Sequence, residues 1–212
     1  MDNLELIIPD VKTDGDLSTM QLPNIDDYDF WNLYLNRIIC IDGEVTTWDY
    51  HIVREIIQFN MKDMGIPKEK RRPIILLINS FGGDLEIMFA IVDAIEASTT
   101  PVWTVNMGEA LSAGGMIFIA GEKRFATKNS WCMTHLGSGT LSGNYNDTVE
   151  AKKQWDSQIK KIGEYIISRT NIDEKLWKKN KDKNWYLNAE QQLELGVATD
   201  IFESIDQILW VE

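Results

Sequence analysis

The sequence contains little cysteine, little histidine and little positive charge. Its 212 residues include two cysteines and two histidines, which excludes a disulfide-rich scaffold. Lysine and arginine total 21 against 33 aspartates and glutamates, so the net charge is −12. A strongly acidic chain is a poor match for nucleic acid or for an anionic membrane surface, and we exclude both as principal partners.

Long apolar runs are also missing. The runs 74–78 and 116–120 have the length of core segments and are too short for a transmembrane helix. The first ten residues are acidic and lack the basic start of a secretory signal. Cys40 and Cys132 lie in separate apolar segments without metal-ligand spacing, so both are expected to be buried thiols. These absences predict a cytoplasmic protein without metal or cofactor.

The overall composition is typical of one globular domain. Hydrophobic residues make up 44 % of the chain and charged residues 25 %. Residues 1–27 are acidic and largely without periodicity, which predicts a mobile N-terminal arm. Residues 28–212 are predicted to form a single domain.

Two strand-turn-helix units follow one another in the first half of the chain. The apolar run 74–78 leads into the glycine turn 79–83 and then into a helical pattern over 84–97. The strand-like run 102–107 leads to Ser112. Turns at the carboxyl ends of parallel strands meet at one edge of the sheet, so we expect Gly83 to lie beside Ser112.

Ser112 stands where a strand is predicted to become a helix. Its hydroxyl would project from a tight turn, and the amide of Ala113 would be a free donor at the helix N-terminus. A nucleophile next to such a donor is what acyl transfer requires. Serine is also a common N-cap, and the segment alone favours that structural role. The other elements of the chain reverse the preference.

A histidine ends the predicted strand 131–135, and the same edge of the sheet would bring its imidazole to Ser112. This residue, His135, is therefore the candidate base. His51 lies among polar neighbours on a predicted helix over 46–61 and is expected to be a surface or packing residue. The glycine-rich stretch 136–146 either pairs with an extended peptide or is a surface loop.

The second half of the chain contains a long amphipathic helix. Asp147 and Glu150 form a capping-box pattern that opens a helix to about residue 169. Its apolar stripe packs either against another subunit or in the core of the same chain. The basic run 175–183 is predicted to be a solvated loop. A helix over 189–195 and a strand over 198–202 complete the prediction.

In this order and spacing, the segments resemble the proteolytic subunits of the Clp protease (ClpP), in the S14 family of serine peptidases. The resemblance covers about residues 28–205. Its motifs are Asp42-x-Glu44-Val45, Ile78-Asn79-Ser80-Phe81-Gly82-Gly83 for the family's I-N-S-P-G-G, Ser112-Ala113-Gly114, Met133-Thr134-His135 and Leu195-Gly196.

The resemblance implies the α/β fold of the ClpP/crotonase superfamily, with repeated strand-turn-helix units and a projecting long helix. It implies a serine endopeptidase in which Ser112 is the nucleophile and His135 the general base, with Asn180 orienting His135. The implied oxyanion hole consists of the amides of Gly83 and Ala113. The implied substrate-binding residues are Leu136, Gly137, Ser138 and Gly139.

The family also implies an assembly. Heptameric rings would enclose a chamber in which peptides or unfolded proteins are cleaved, and an ATP-driven unfoldase would feed it. Four departures indicate a divergent member: Phe81 replaces a proline, Asn180 replaces an acidic residue, Ile75 and Leu77 replace aromatic residues of the unfoldase-docking pocket, and the loop after the first long helix is longer. Asp182 is the alternative to Asn180.

Three other functions stay open at the level of sequence. One is a phage capsid-maturation protease of ClpP type, and another is a non-catalytic ring subunit that partners an active paralogue. The third is an acyl-CoA enzyme of crotonase type, with Glu86 or Glu109 as acid or base. The pairing of Ser112 with His135 argues against the third.

Overall fold

Seven strands and seven α-helices lie along residues 25–209, the part of the chain that the computed structural model describes. The predicted arm lies outside these residues except at its end, where the first helix begins. In chain order the elements are α1 (Ile25–Leu35), β1 (Ile38–Val45), α2 (Tyr50–Lys62), β2 (Ile74–Gly83), α3 (Leu85–Ala97), β3 (Val102–Leu111), α4 (Ala113–Ala120), β4 (Lys123–Thr127), β5 (Trp131–Thr134), α5 (Tyr145–Arg169), α6 (Glu174–Asn180), β6 (Trp185–Asn188), α7 (Ala189–Glu194) and β7 (Asp200–Phe202).

Five parallel strands form the main sheet in the order β1-β2-β3-β4-β7, which confirms the predicted α/β class. Strand β3 has two successive neighbours on one edge. Its residues 103–106 pair with β4, and its residues 109–111 pair with β5. Strand β6 runs antiparallel to β5. The sheet therefore branches at the middle of β3.

A buried asparagine occupies the branch point. Asn106 is the last residue of β3 paired with β4, and its side chain is fully buried. Its Nδ2 donates to the carbonyl of Trp131 at 3.0 Å, and its Oδ1 accepts from the amide of Gly108 at 3.3 Å. The side chain thus provides hydrogen bonds at the position where one strand partner leaves and the next begins.

Strand β2 is longer than the sequence predicts, because the predicted glycine turn 79–83 is part of the strand. Strand β1 continues past Asp42 and Gly43 to Val45 through a register shift, with Gly43 at φ +84°. A bulge with a glycine in the left-handed region lets a strand continue past residues that usually end it.

The main core lies between the sheet and the helices that cover it. Every residue of α4 is buried, as expected for a helix without a polar face. The largest fully buried side chains of this core include Ile41, Phe59, Ile78, Met88, Ile117 and Phe118. A smaller cluster on the other face of the sheet contains Ile75, Val105, Phe125 and Ile208.

The long helix α5 packs on the domain through its C-terminal half. Ile162, Gly163 and Ile166 are its buried residues, and all of its residues before Ile162 are at least partly exposed. The N-terminal half therefore projects, as predicted. None of the helices in residues 25–209 is long and apolar enough to cross a membrane.

The prediction of a solvated loop over 175–183 is wrong for most of that stretch. Residues 174–180 form α6, in which Trp177 and Asn180 are buried. Trp177 lies so close to α5 that a Cβ added at Gly163 would be 2.5 Å from its Nε1. The burial of Trp177 against α5 thus fixes α6 to the domain, although the other residues of α6 are mostly charged.

Arg124 on β4 joins elements that are far apart in sequence. Its side chain is 8 % exposed, and its guanidinium donates to the carbonyls of Gly121, Val197 and Gly196 at 3.1, 2.9 and 2.9 Å. A fourth bond reaches the carbonyl of Arg169 at 3.3 Å. Four carbonyls at the ends of helices and loops thus accept hydrogen bonds from one side chain, and that of Gly121 also accepts one from Arg169 at 2.9 Å.

Replacing Arg124 with methionine should lower the free energy of unfolding by about 3 kcal/mol, because buried carbonyls lose charged donors. Arg54→Met is the matched control, since Arg54 is exposed on α2; it should change stability by no more than about 0.5 kcal/mol. Urea unfolding at one protein concentration measures both. Equal losses in the two variants would contradict the role of Arg124.

Candidate active site

Ser112 joins β3 to α4 in a conformation that is rare for a residue with a side chain. Its backbone lies at φ +53° and ψ −117°. Such a residue costs on the order of 1–3 kcal/mol and requires support from its surroundings. The amide of Ser112 supplies part of it by donating to the carbonyl of Met133 at 2.8 Å. The hydroxyl consequently projects from a sharp strand-to-helix turn, as the sequence predicts.

The imidazole of His135 lies directly against this hydroxyl. Ser112 Oγ is 2.7 Å from His135 Nε2, within hydrogen-bond distance. Strand pairing explains the contact, because Leu111 of β3 is in register with Met133 of β5. The residues that follow these two strands therefore emerge side by side.

The second ring nitrogen of His135 contacts an asparagine that the sequence analysis did not consider. Nδ1 lies 3.1 Å from Oδ1 of Asn184. Thr134 of β5 pairs with Trp185 of β6 in the antiparallel register, so the next residues outward, His135 and Asn184, face each other. A prediction of β6 and of its register with β5 would have identified Asn184.

The structure does not bring Asn180, the residue predicted to orient His135, to the imidazole. Asn180 ends α6, is 6 % exposed, and donates from its Nδ2 to the carbonyl of Leu176 at 2.9 Å. The alternative, Asp182, pairs with Nζ of Lys181 at 3.1 Å. Helix α6 holds Asn180 in the core, and the chain reaches the histidine only four residues later.

The glycines at the end of β2 lie beside the serine turn. A Cβ added at Gly82 would be 2.7 Å from Cβ of Ser112, so only glycine fits there. The buried hydroxyl of Ser80 accepts from the amide of Gly82 at 3.1 Å. Gly83 pairs with Val45 of β1, and it lines the same cleft as Ser112 and Ala113. Both amides predicted for an oxyanion hole thus border one space.

A cleft of about 690 Å³ opens at the Ser112–His135 pair. Its walls come from the end of β2, the start of α3, helix α4 and the projecting half of α5. The four residues predicted to bind substrate, Leu136, Gly137, Ser138 and Gly139, also line it. They are in no strand of the sheet, so their backbone is available to an extended peptide.

Burial sets the protonation of the histidine. Desolvation lowers the pKa of His135 below its ordinary value, and the hydrogen bond that its Nδ1 donates to Asn184 opposes this in part. The imidazole is consequently neutral near pH 7, the form that can accept a proton from Ser112. The hydrogen bond to Asn184 Oδ1 requires the proton to be on Nδ1, which leaves Nε2 as the acceptor.

Neither cysteine nor the second histidine lines the cleft. Burial raises the pKa of the Cys132 thiol to about 12 and also raises that of half-buried Cys40. His51 is bonded through Nδ1 to the carbonyl of Trp48 at 2.8 Å, in agreement with a packing role. Within residues 25–209, no three histidine, cysteine, aspartate or glutamate side chains are grouped as metal ligands.

Comparisons with known proteins agree with this architecture. The family model of the Clp protease matches residues 24–205. The chain is similar to ATP-dependent Clp protease proteolytic subunit 2 of Treponema denticola, with 32 % identity over 180 residues, 83 % of this chain and 87 % of the relative. The chain is also similar to ATP-dependent Clp protease proteolytic subunit 1 of Rhodopirellula baltica. The two are 32 % identical over 169 residues, which are 78 % of this chain and 72 % of the relative.

A third relative, proteolytic subunit 2 of Treponema pallidum, is 28 % identical over 170 residues, 79 % of this chain and 82 % of its own. The predicted ClpP-type fold is thereby confirmed, as is the prediction of a serine-type peptidase. The chain belongs to the Clp protease family.

Proposed function

We propose that this peptidase hydrolyses internal peptide bonds through Ser112, His135 and Asn184. The observation that supports the proposal is the continuous line of contacts, 2.7 Å from Ser112 Oγ to His135 Nε2 and 3.1 Å from His135 Nδ1 to Asn184 Oδ1. This is the geometry of a serine nucleophile, a general base and an orienting residue. The amide oxygen of Asn184 takes the position that a carboxylate has in most triads.

In the first step His135 Nε2 takes the proton of Ser112 as the oxygen attacks the substrate carbonyl. The resulting oxyanion accepts hydrogen bonds from the amides of Ala113 and Gly83. Ala113 suits this role because it is the first residue of α4, where backbone N–H groups have no partner within the helix. The peptide nitrogen then leaves with the proton from His135, and an acyl-serine remains.

Water completes the reaction. His135 takes a proton from a water molecule, the hydroxide attacks the acyl-serine, and the proton returns to Ser112 as the acid product leaves. Asn184 fixes the tautomer and the ring orientation in both steps. Its neutral oxygen stabilises the imidazolium less than a carboxylate would, so the reaction is expected to be slow.

Replacing Ser112 with alanine should abolish labelling by a fluorophosphonate probe and lower peptide cleavage by at least about 10³-fold, because the nucleophile is lost. Ser157→Ala, an exposed position on α5, should keep both. Intact-mass analysis locates the label. Labelling of the Ser112→Ala variant, or of Ser80 in the unaltered protein, would refute the assignment.

Replacing Asn184 with aspartate should raise kcat/KM by about tenfold or more. The reverse change, aspartate to asparagine in a serine protease triad, lowers kcat by about 10⁴-fold. Asn180→Asp is the matched control and should give no gain, because that side chain is bonded within α6. A small fluorogenic peptide provides the assay. A gain in Asn180→Asp alone would restore Asn180 as the orienting residue.

The pH profile offers a further measurement on the same variants. Because burial lowers the pKa of His135, the acid limb of kcat/KM should lie below the ordinary histidine value of about 6.5. Neutral His135 is the active form, so activity persists to lower pH. A carboxylate at position 184 stabilises the imidazolium and should move the limb to higher pH. An unmoved limb would exclude contact between residues 184 and 135.

The assembly is proposed by analogy with relatives named proteolytic subunits of an ATP-dependent protease. We propose a cytoplasmic homo-oligomer of heptameric rings, with the serines inside a chamber and an ATP-driven unfoldase supplying protein substrates. The projecting half of α5 supports the proposal, since it carries half-buried apolar residues such as Val149 and Ile159 that the chain itself does not cover.

Native mass spectrometry should give a multiple of seven subunits. Ile159→Asp should dissociate the assembly, because a carboxylate replaces an apolar contact. Ser157→Asp adds the same charge at an exposed position of the same helix and should leave the mass unchanged. A monomer in the unaltered protein would overturn the ring proposal, and an unaffected Ile159→Asp would place that face outside the interface.

A non-catalytic ring subunit is the second candidate, and the neutral side chain of Asn184 favours it. Such a subunit would assemble with an active paralogue and would remain unlabelled by the probe. The predicted phage capsid-maturation role stays a prediction.

A further inference from the structure

Two carboxylates stand at the cleft that contains Ser112. Glu44 on β1 and Glu86 on α3 both line it, and the lining residues include no lysine or arginine. Neither carboxylate has an ion pair within 4.0 Å in the part of the chain that the structure describes. Among residues 25–209, the cleft therefore has negative charge on one side and no lysine or arginine in its walls.

Both carboxylates are placed by the glycine segment that borders the serine. Glu44 pairs with Gly82 across the two strands, one strand spacing or about 4.8 Å away, and Gly82 abuts Ser112. Glu86 is the second residue of α3, which begins two residues after Gly83. Gln158 of α5 donates to Oε1 of Glu86 at 3.3 Å and so holds that carboxylate at the cleft.

The rest of the cleft suits an aliphatic chain. Met88, Met116 and Met133 line it and are at most 5 % exposed, and Ile162 and Trp155 of α5 line it as well. Methionine side chains adapt to unbranched apolar groups. A substrate side chain that combines an apolar stem with a cationic end would contact both the methionines and the carboxylates.

An independent observation concerns a buried hydroxyl in the wall of the cleft. Thr134, next to His135, is 2 % exposed and belongs to the cleft wall, yet its Oγ1 has no hydrogen-bond partner among residues 25–209. A buried hydroxyl without a partner is uncommon, and a bound ligand is one way to satisfy it. A hydroxyl accepts from an ammonium or guanidinium group.

We infer that this cleft selects lysine or arginine at the residue whose carbonyl Ser112 attacks, with Glu86 as the main determinant and Glu44 as the second. The inference rests on the proposed function, since it requires Ser112 to be the nucleophile. The net charge of −12 acts in the same direction, because it attracts cationic peptides over a distance.

Two fluorogenic peptides test the inference, acetyl-Ala-Ala-X-aminocoumarin with lysine or norleucine as X. Norleucine has the stem of lysine and lacks its charge. We expect kcat/KM for lysine to exceed that for norleucine about two- to fivefold, the ratio that an exposed ion pair provides. About 1 M NaCl should reduce the ratio through screening.

Single substitutions show which carboxylate causes the preference for lysine over norleucine. Glu86→Gln should bring the ratio close to one, and Glu44→Gln should lower it in part. Asp93→Asn removes the same charge from an exposed position of α3 outside the cleft and should leave the ratio unchanged. Fluorophosphonate labelling of Ser112 in each variant reports that the site is folded.

Two results would overturn the inference. One is a ratio of one or less in the unaltered protein, and the other is a preference that survives in the double variant Glu44→Gln/Glu86→Gln. If Ser112 is labelled in either case, the proposed peptidase function stands and only the specificity fails. If no peptide is cleaved and Ser112 is not labelled, the proposed function fails and the inference fails with it.

Discussion

The candidate active site depends on the exchange of neighbours along β3. A strand that paired with β4 over its whole length would leave no room for β5 next to Ser112. Asn106 makes the exchange possible, because its buried amide bonds the carbonyl of Trp131 at 3.0 Å where the first pairing ends. From that point β5 is in register with the last residues of β3, and His135 emerges next to Ser112. The serine–histidine contact is thus a consequence of sheet topology.

The sequence was sufficient to predict the parts of the fold that repeat. Apolar runs followed by glycine and then by a helical pattern identified β2, α3, β3 and α4, and the convergence of carboxyl ends located Ser112 and His135 together. The end of β2 was predicted too early, because the glycine segment 79–83, interpreted as a turn, belongs to the strand. Strand β4 was missed, since it is short and contains the charged residues Lys123 and Arg124.

The third residue of the site could not be predicted from residue types alone. Helix α6 has few apolar residues, and its burial depends on Trp177 packing against Gly163. Without that helix and β6, no pattern distinguishes Asn180 from Asn184, because both are asparagines in a charged segment. The distinction comes from antiparallel register, which is a property of two strands in contact.

That register also makes the position of Asn184 depend on β6. Asn184 is exposed, and what fixes it opposite His135 is the pairing of four residues from Trp185 to Asn188. A slip of β6 by one position would present either Lys183 or Trp185 to the imidazole, and neither side chain can accept its proton. A short strand at the rim of the domain therefore determines which side chain faces Nδ1 of His135.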